Sequence, residues 1–144
     1  MKPEPDQKRR YQTPDHPWID GTEAPLYVQA LPAGGEDAEL IAFTKAVQAW
    51  QLRVDFSFAV VFDISQVGVA TATQRRILAD HDKAVAEIDR KHCAGCAFVA
   101  KNSWQRGLIT AAFWISPPSY PTKVFATQEE AKVWARARLQ DASR

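Results

Sequence analysis

The chain has only two cysteines, Cys93 and Cys96, too few for the disulfide framework of a small secreted protein. It has no charge excess either, because 18 lysines and arginines stand against 17 aspartates and glutamates. So even a balance provides no basic field of the kind that drives non-specific nucleic-acid binding, and no nucleic acid is expected as a partner. No segment approaches the apolar length needed to cross a bilayer, and the opening MKPEPDQKRRYQTPDHPW carries charges without an apolar h-region. Membrane insertion is therefore not expected, and the cytoplasm is the expected compartment. A G-x-S-x-G elbow and a glycine-rich phosphate cradle are also missing. Gly34-Gly35 lacks both the lysine and spacing of a P-loop and the pattern of a dinucleotide fingerprint. No catalytic residue, cofactor or metal is expected.

What is present reads as one domain. An apolar fraction of 46% over 144 residues is ordinary for a globular core. Residues 1–16 are polar and proline-punctuated, with the basic cluster Lys8, Arg9, Arg10. They read as a disordered tail preceding a domain over 17–141, since they offer little apolar surface to offset the entropy of ordering. Trp18 and Ile19 suggest a short edge strand, and Leu26 to Leu31 a second. Leu40, Phe43, Val47 and Trp50 recur at three- and four-residue steps, which predicts an amphipathic helix from Glu36 to about Leu52. FSFAVVF (56–62) is apolar throughout, as suits a strand buried on both faces.

A second helix is predicted from about Thr73 to Lys91, with Ile77, Ala84, Val85 and Ile88 on its apolar side. Cys96 to Ala100 reads as another core strand. Asn102 or Ser103 can cap a helix carrying Trp104, Leu108, Ala111, Ala112 and Ile115. The run Pro117, Pro118, Ser119, Tyr120, Pro121 must end that helix. Thr122 to Ala126 then reads as a strand, and Thr127 with Glu130 as the capping box of a last helix. Strands alternating with helices at this spacing imply α/β architecture: a mostly parallel sheet of 4–5 strands flanked by about four helices.

The order of elements from Trp18 to Gln140 resembles the STAS or SpoIIAA-like family, the anti-sigma-factor antagonists of sporulation. VVFDISQV (60–67) resembles that family's strand-to-loop segment ending in an Asp-Leu-Ser-like step, and VFATQEEAKVWARARL its closing strand and helix. The resemblance implies a regulatory or adaptor domain that works by contact with another protein, often as a phosphorylation-controlled switch. Related folds hold lipids or nucleotides. In that family a Ser or Thr opens the helix after the central strand. Thr71, Ala72, Thr73 and Gln74 occupy that place here, so Thr71 and Thr73 are the candidate acceptors. Each is also read as a plain helix N-cap.

Three further groups carry potential chemistry. Cys93-Ala94-Gly95-Cys96 has the spacing of a thioredoxin-like pair, with His92 beside it. The pair runs into an apolar strand rather than opening a helix that would acidify the first thiol, so structural thiols are expected. A zinc site would need a second ligand pair, and only His16 and His81 remain as imidazole donors. His81 sits at helical steps from Ile77 and Val85, as a core or boundary histidine does. Trp50, Trp104, Trp114 and Trp134 lie on apolar helical stripes and are expected in the core. Trp104 has a second reading. Together with Lys101, Arg106, Arg75 and Arg76 it makes the tryptophan-and-arginine pairing typical of binding hot spots, next to an acidic partner or ligand. The expected function is thus a non-enzymatic regulatory or adaptor domain acting on another protein. Two rivals remain: a domain binding a small molecule or lipid between sheet and helices, and a thiol-dependent redox protein using Cys93 and Cys96.

Overall fold

A computed structural model describes residues 11–144. Five strands form one sheet in the order β1 (Ile19–Asp20), β2 (Leu26–Ala30), β3 (Phe58–Asp63), β4 (Cys93–Val99), β5 (Thr122–Phe125). β1 is antiparallel to β2, and every other neighbouring pair is parallel. Four helices connect and close the sheet: α1 (Asp37–Gln51), α2 (Ala72–His92), α3 (Ser103–Ile115) and α4 (Gln128–Ala142). The α/β fold and the order of elements are those expected from the sequence.

Sequential parallel neighbours need crossovers of one hand, which places α1, α2 and α3 on the same face. Side chains confirm this. Tyr27, Phe58, Val60 and Cys96 meet Trp50 of α1, while Phe62 and Phe98 meet Ile109 and Phe113 of α3. Alternate strand residues turn the other way. Leu26, Val28, Ala59, Val61, Ala97 and Val99 pack on Ala131 and Ala135 of α4. The small residues on both sides let α4 lie close to the sheet. A Cβ added at Gly95 would stand 3.0 Å from Arg138 Cγ and 3.2 Å from the Trp134 ring.

Caps set the helix starts. Glu36 with Glu39 and Thr71 with Gln74 form capping boxes, while the side chains of Asn102 and Thr127 accept from the third residue of their helices. β4 begins three residues earlier than expected, at Cys93. A bulge between Phe58/Ala59 and Cys93/Gly95 shifts its register there. Cys93 is therefore opposite Phe58 and Cys96 opposite Val60, so both thiols face the three-helix side.

Two expectations need correction. Residues 11–16, placed in the tail, pack on the domain, whereas residues 1–10, with Lys8, Arg9 and Arg10, lie outside the described residues. Tyr11 meets the Phe56 ring edge-on at 4.8 Å. The Gln12 carbonyl accepts from both the Tyr27 hydroxyl (3.1 Å) and the Trp50 indole N–H, and His16 packs between Trp18 and Phe43. Tryptophan placement is the second correction. Trp50 is buried and Trp134 packs against the α4-side core, but Trp104 is 57% and Trp114 85% exposed. Helical spacing identified a stripe on α3 without revealing which side of the helix meets the sheet.

The first correction yields a prediction. A chain starting at Pro14 should be less stable in urea than one starting at Tyr11 by about 3 kcal/mol, because two buried donors lose their acceptor and Phe56 loses a ring contact. Equal midpoints for the two truncations would show that residues 11–13 contribute nothing.

Candidate functional site

β3 and β4 end side by side, and the chain leaving them builds the surface on which the candidate residues sit. Asp63 closes β3 and is buried. One carboxylate oxygen accepts from Ser65 N at 2.8 Å and the other from Gln128 Nε2 at 2.7 Å. Gln105, one turn into α3 and 1% exposed, joins the two loops. Its Oε1 accepts from Lys101 N (2.8 Å), and its Nε2 donates to Ser65 O (3.1 Å) and Val67 O (3.0 Å). All of the amide's strong bonding capacity points into the loops, so the β3–α2 connection is held to the start of α3.

On that support the indole N–H of Trp104 donates to Gly68 O at 3.2 Å, which lays an exposed ring over the loop that enters α2. Val69, beside it, is 77% exposed. Thr71 Oγ1 accepts from Gln74 N, and Gln74 reaches back to Thr71 N and across to Gly35 O. Thr71 is thus the N-cap, while Thr73 is exposed in the first turn with no capping duty. Arg75 folds back so that Nη1 donates to Ala70 O at 2.8 Å.

Of the residues singled out from sequence, the structure links Trp104, Arg75 and Thr71 through the 68–71 loop. Arg76, Lys101 and Arg106 are exposed on the same end of the sheet. Gln105, Asp63 and Val69 were not anticipated. A buried glutamine next to a cap gives no sequence signal distinct from a solvent-facing one, since Gln is common on both.

The electrostatics of this end are uneven. α1 and α4 carry acids in their first turns, Asp37 with Glu39 and Glu129 with Glu130. α2 and α3 carry none. The positive ends of these two middle helices are therefore uncompensated, and Arg75, Arg76, Lys101 and Arg106 add to them.

Polar groups gather at the opposite, amino end of the sheet. Gln48 Nε2 lies 3.1 Å from His81 Nδ1, and burial lowers His81 to about 4, which keeps the ring neutral near pH 7. Cys93 and Cys96 are both free, and burial pushes both thiols far from thiolate formation. Asp89 accepts from Gln51 Nε2 at 3.0 Å. Gln51 is 5% exposed, and its Oε1 has no partner among the described residues. Burial raises Asp89 to about 6, and the nearby Asp82 adds to the rise against the pull of the Gln51 bond. No group of three or more His, Cys, Asp or Glu among the described residues could hold a metal ion. An open hollow of about 360 Å³ lies between Pro25 and α4, where the carboxylate of Glu23 is already paired with Lys132 and Arg136.

No family model matches this chain, and no curated protein or solved structure matches it either.

Two predictions test this reading of the polar network. Gln105→Leu keeps the volume but strands one N–H and two carbonyls, which should cost about 3 kcal/mol and speed amide exchange across residues 65–68. Unchanged exchange there would show that the loop is held by other contacts. Asp89→Asn gives Gln51 Oε1 a donor and removes a carboxylate that burial disfavours. A carboxyl raised in the folded state stabilises fully below its unfolded value of 3.8 and loses that contribution as pH rises through about 6. The wild type should therefore lose stability between about pH 4 and pH 7. The Asn variant should be flatter over that range and more stable near pH 7 by about 1 kcal/mol or more, read from urea unfolding at several pH values.

Proposed function

We propose that this chain is a non-enzymatic regulatory module of the STAS or SpoIIAA-like kind, which docks an acidic segment of another protein on the carboxyl end of its sheet. The observation that carries the reading is Trp104. A ring 57% exposed, yet held by its own N–H to Gly68, is an anchor set in place before binding, so it loses little conformational freedom when covered. Val69 extends the apolar contact. Arg75, Arg76, Lys101 and Arg106 supply a cationic rim at helix ends that lack acids.

Thiol chemistry finds little support, because Cys96 is buried, Cys93 half-buried, burial opposes thiolate formation at both, and neither opens a helix. Two unpaired cysteines accord with a reducing compartment such as the cytoplasm.

Within this reading Thr73 is the switch residue and Thr71 its structural neighbour. Phosphate on Thr73 would meet the positive end of α2 and the adjoining arginines, turning a cationic surface anionic without removing a cap. Thr73→Glu should change stability by no more than roughly 1 kcal/mol and weaken partner binding tenfold or more, as should Trp104→Ser. The measurement is affinity capture from cells with wild type and variants, followed by titration of the captured protein. Equal retention by Trp104→Ser and wild type would remove this surface from consideration.

A further inference from the structure

Tyr11, Gln12 and Thr13 lie outside the sheet, yet each is received by a different piece of the domain. Tyr11 meets the Phe56 ring edge-on, with centroids 4.8 Å apart. On the Gln12 carbonyl two donors converge, the Tyr27 hydroxyl at 3.1 Å and the Trp50 indole N–H. Thr13 lies against Gly21, where a Cβ would run into its Oγ1, so no larger residue at that position leaves room for it. Pro14 follows, buried. The receiving side chains are fixed by the core: Tyr27 is 1% and Trp50 3% exposed, and their rings meet edge-on at 4.8 Å. The domain therefore holds residues 11–14 in a built groove with an aromatic place, a carbonyl place and a glycine niche.

The segment is held as a ligand is held. None of residues 11–14 belongs to a helix or strand, and Gln12 and Thr13 are exposed. Lifting the segment breaks side-chain contacts and two hydrogen bonds, but no strand ladder. It is joined to β1 by the link 15–18, which folds back through His16 N to Pro14 O (3.0 Å), Ile19 N to His16 O (3.1 Å) and Trp18 N to His16 Nδ1 (3.2 Å). Pro14 and Pro17 stiffen this stretch. A residue that precedes proline favours extended backbone, so Thr13 and His16 both favour a straight run. Opened out, the four residues of the link span about 13 Å, which carries the segment clear of its own groove.

We propose that this groove takes residues 11–14 from a second copy of the chain, so that two molecules pair by exchanging segments. A foreign segment that displaced this one would leave Tyr11 and Pro14 in water and gain nothing over the contacts it replaced. A second copy brings Tyr11, the Gln12 carbonyl, Thr13 and Pro14 by identity and has its own groove filled in return. Exchange then loses no contact outside the link. The unexchanged form keeps the advantage of a short tether, equivalent to a concentration on the order of 1 mM. Exchange is therefore the minor form in dilute solution and grows with protein concentration. The inference is independent of the carboxyl-end reading, since none of Tyr11, Gly21, Tyr27, Trp50 and Phe56 belongs to that surface.

The test uses two variants of the full chain. Tyr11→Ser with Thr13→Gly spoils the segment and leaves the groove, whereas Gly21→Val with Tyr27→Phe spoils the groove and leaves the segment. Circular dichroism checks that each folds, and Gly21→Ala alone serves where the second pair does not. Sedimentation velocity should find each variant monomeric by itself and the equimolar mixture forming a one-to-one pair, because an intact groove and an intact segment then meet without a tethered rival. Wild type should pair only at concentrations roughly tenfold or more above those of the mixture, approaching about 1 mM. Trp104→Ser should pair as wild type does, which separates this groove from the carboxyl-end surface. A mixture of folded variants that stays monomeric would overturn the proposal. So would a dimer that either variant forms alone, since the copies would then meet elsewhere. Binding of a synthetic peptide of residues 11–16 to the segment-spoiled chain, without pairing in the mixture, would reassign the groove to the segment of another protein.

Discussion

A parallel sheet whose strands follow one another in order leaves its crossovers a single face, and the rest of this molecule follows from that constraint. Three helices must share the side of β2, β3 and β4 that α4 does not occupy. α4 alone seals the other side, which is why the two central strands carry alanine, valine and glycine on that face. Only small side chains let one helix come close enough to exclude water from four strands. The crowded face has the opposite problem. It is filled with aromatic side chains, and the three helices abreast on it are buried to unequal extents. α1 seats Trp50 and Phe43 almost completely, while α3 buries only two residues.

The same constraint places all four helix N-termini at one end. Four positive dipole ends side by side favour nearby anions, and the outer helices provide their own in Asp37, Glu39, Glu129 and Glu130. The middle pair does not. Instead the chain spends a buried amide, Gln105, on bonding the two middle loops to each other, which fixes their backbone without neutralising their charge. A surface that is rigid, cationic and carries an exposed indole results from these choices together.

Much of the fold was legible from residues because its signals are local. The proline run at 117–121 ends α3 on schedule, Thr127 and Glu130 cap α4, and FSFAVVF is the central strand. Boundaries shifted where tertiary contacts decide them. Cys93 and Ala94 join β4 only because a bulge lets Phe58 pair with Cys93, and no local propensity announces a bulge. Tyr11 and Gln12 looked like tail because their contribution is one ring and one carbonyl, delivered to Phe56, Tyr27 and Trp50 far along the chain. At the site, the residues that touch solvent were visible by type: Trp104, Arg75, Arg76, Lys101, Arg106. Those that hold them were not, since Asp63 and Gln105 are polar residues whose burial depends on where two loops meet.

The tryptophans show how far a periodic pattern can be taken. Trp50 and Trp104 both recur on apolar stripes, and both donate an indole N–H to a backbone carbonyl. One carbonyl belongs to Gln12, where the indole also packs against the rings of Tyr27, Phe56 and Phe58, and the other to Gly68, in the loop leaving the carboxyl end of β3. The first ring is therefore 3% exposed and the second 57%. Spacing gives the stripe, but exposure is set by what the partner strand or loop leaves uncovered. On α3 that uncovered region runs from Trp104, at the cationic end of the sheet, along the helix to Trp114 and Ile115, because no neighbouring helix packs closely against that side.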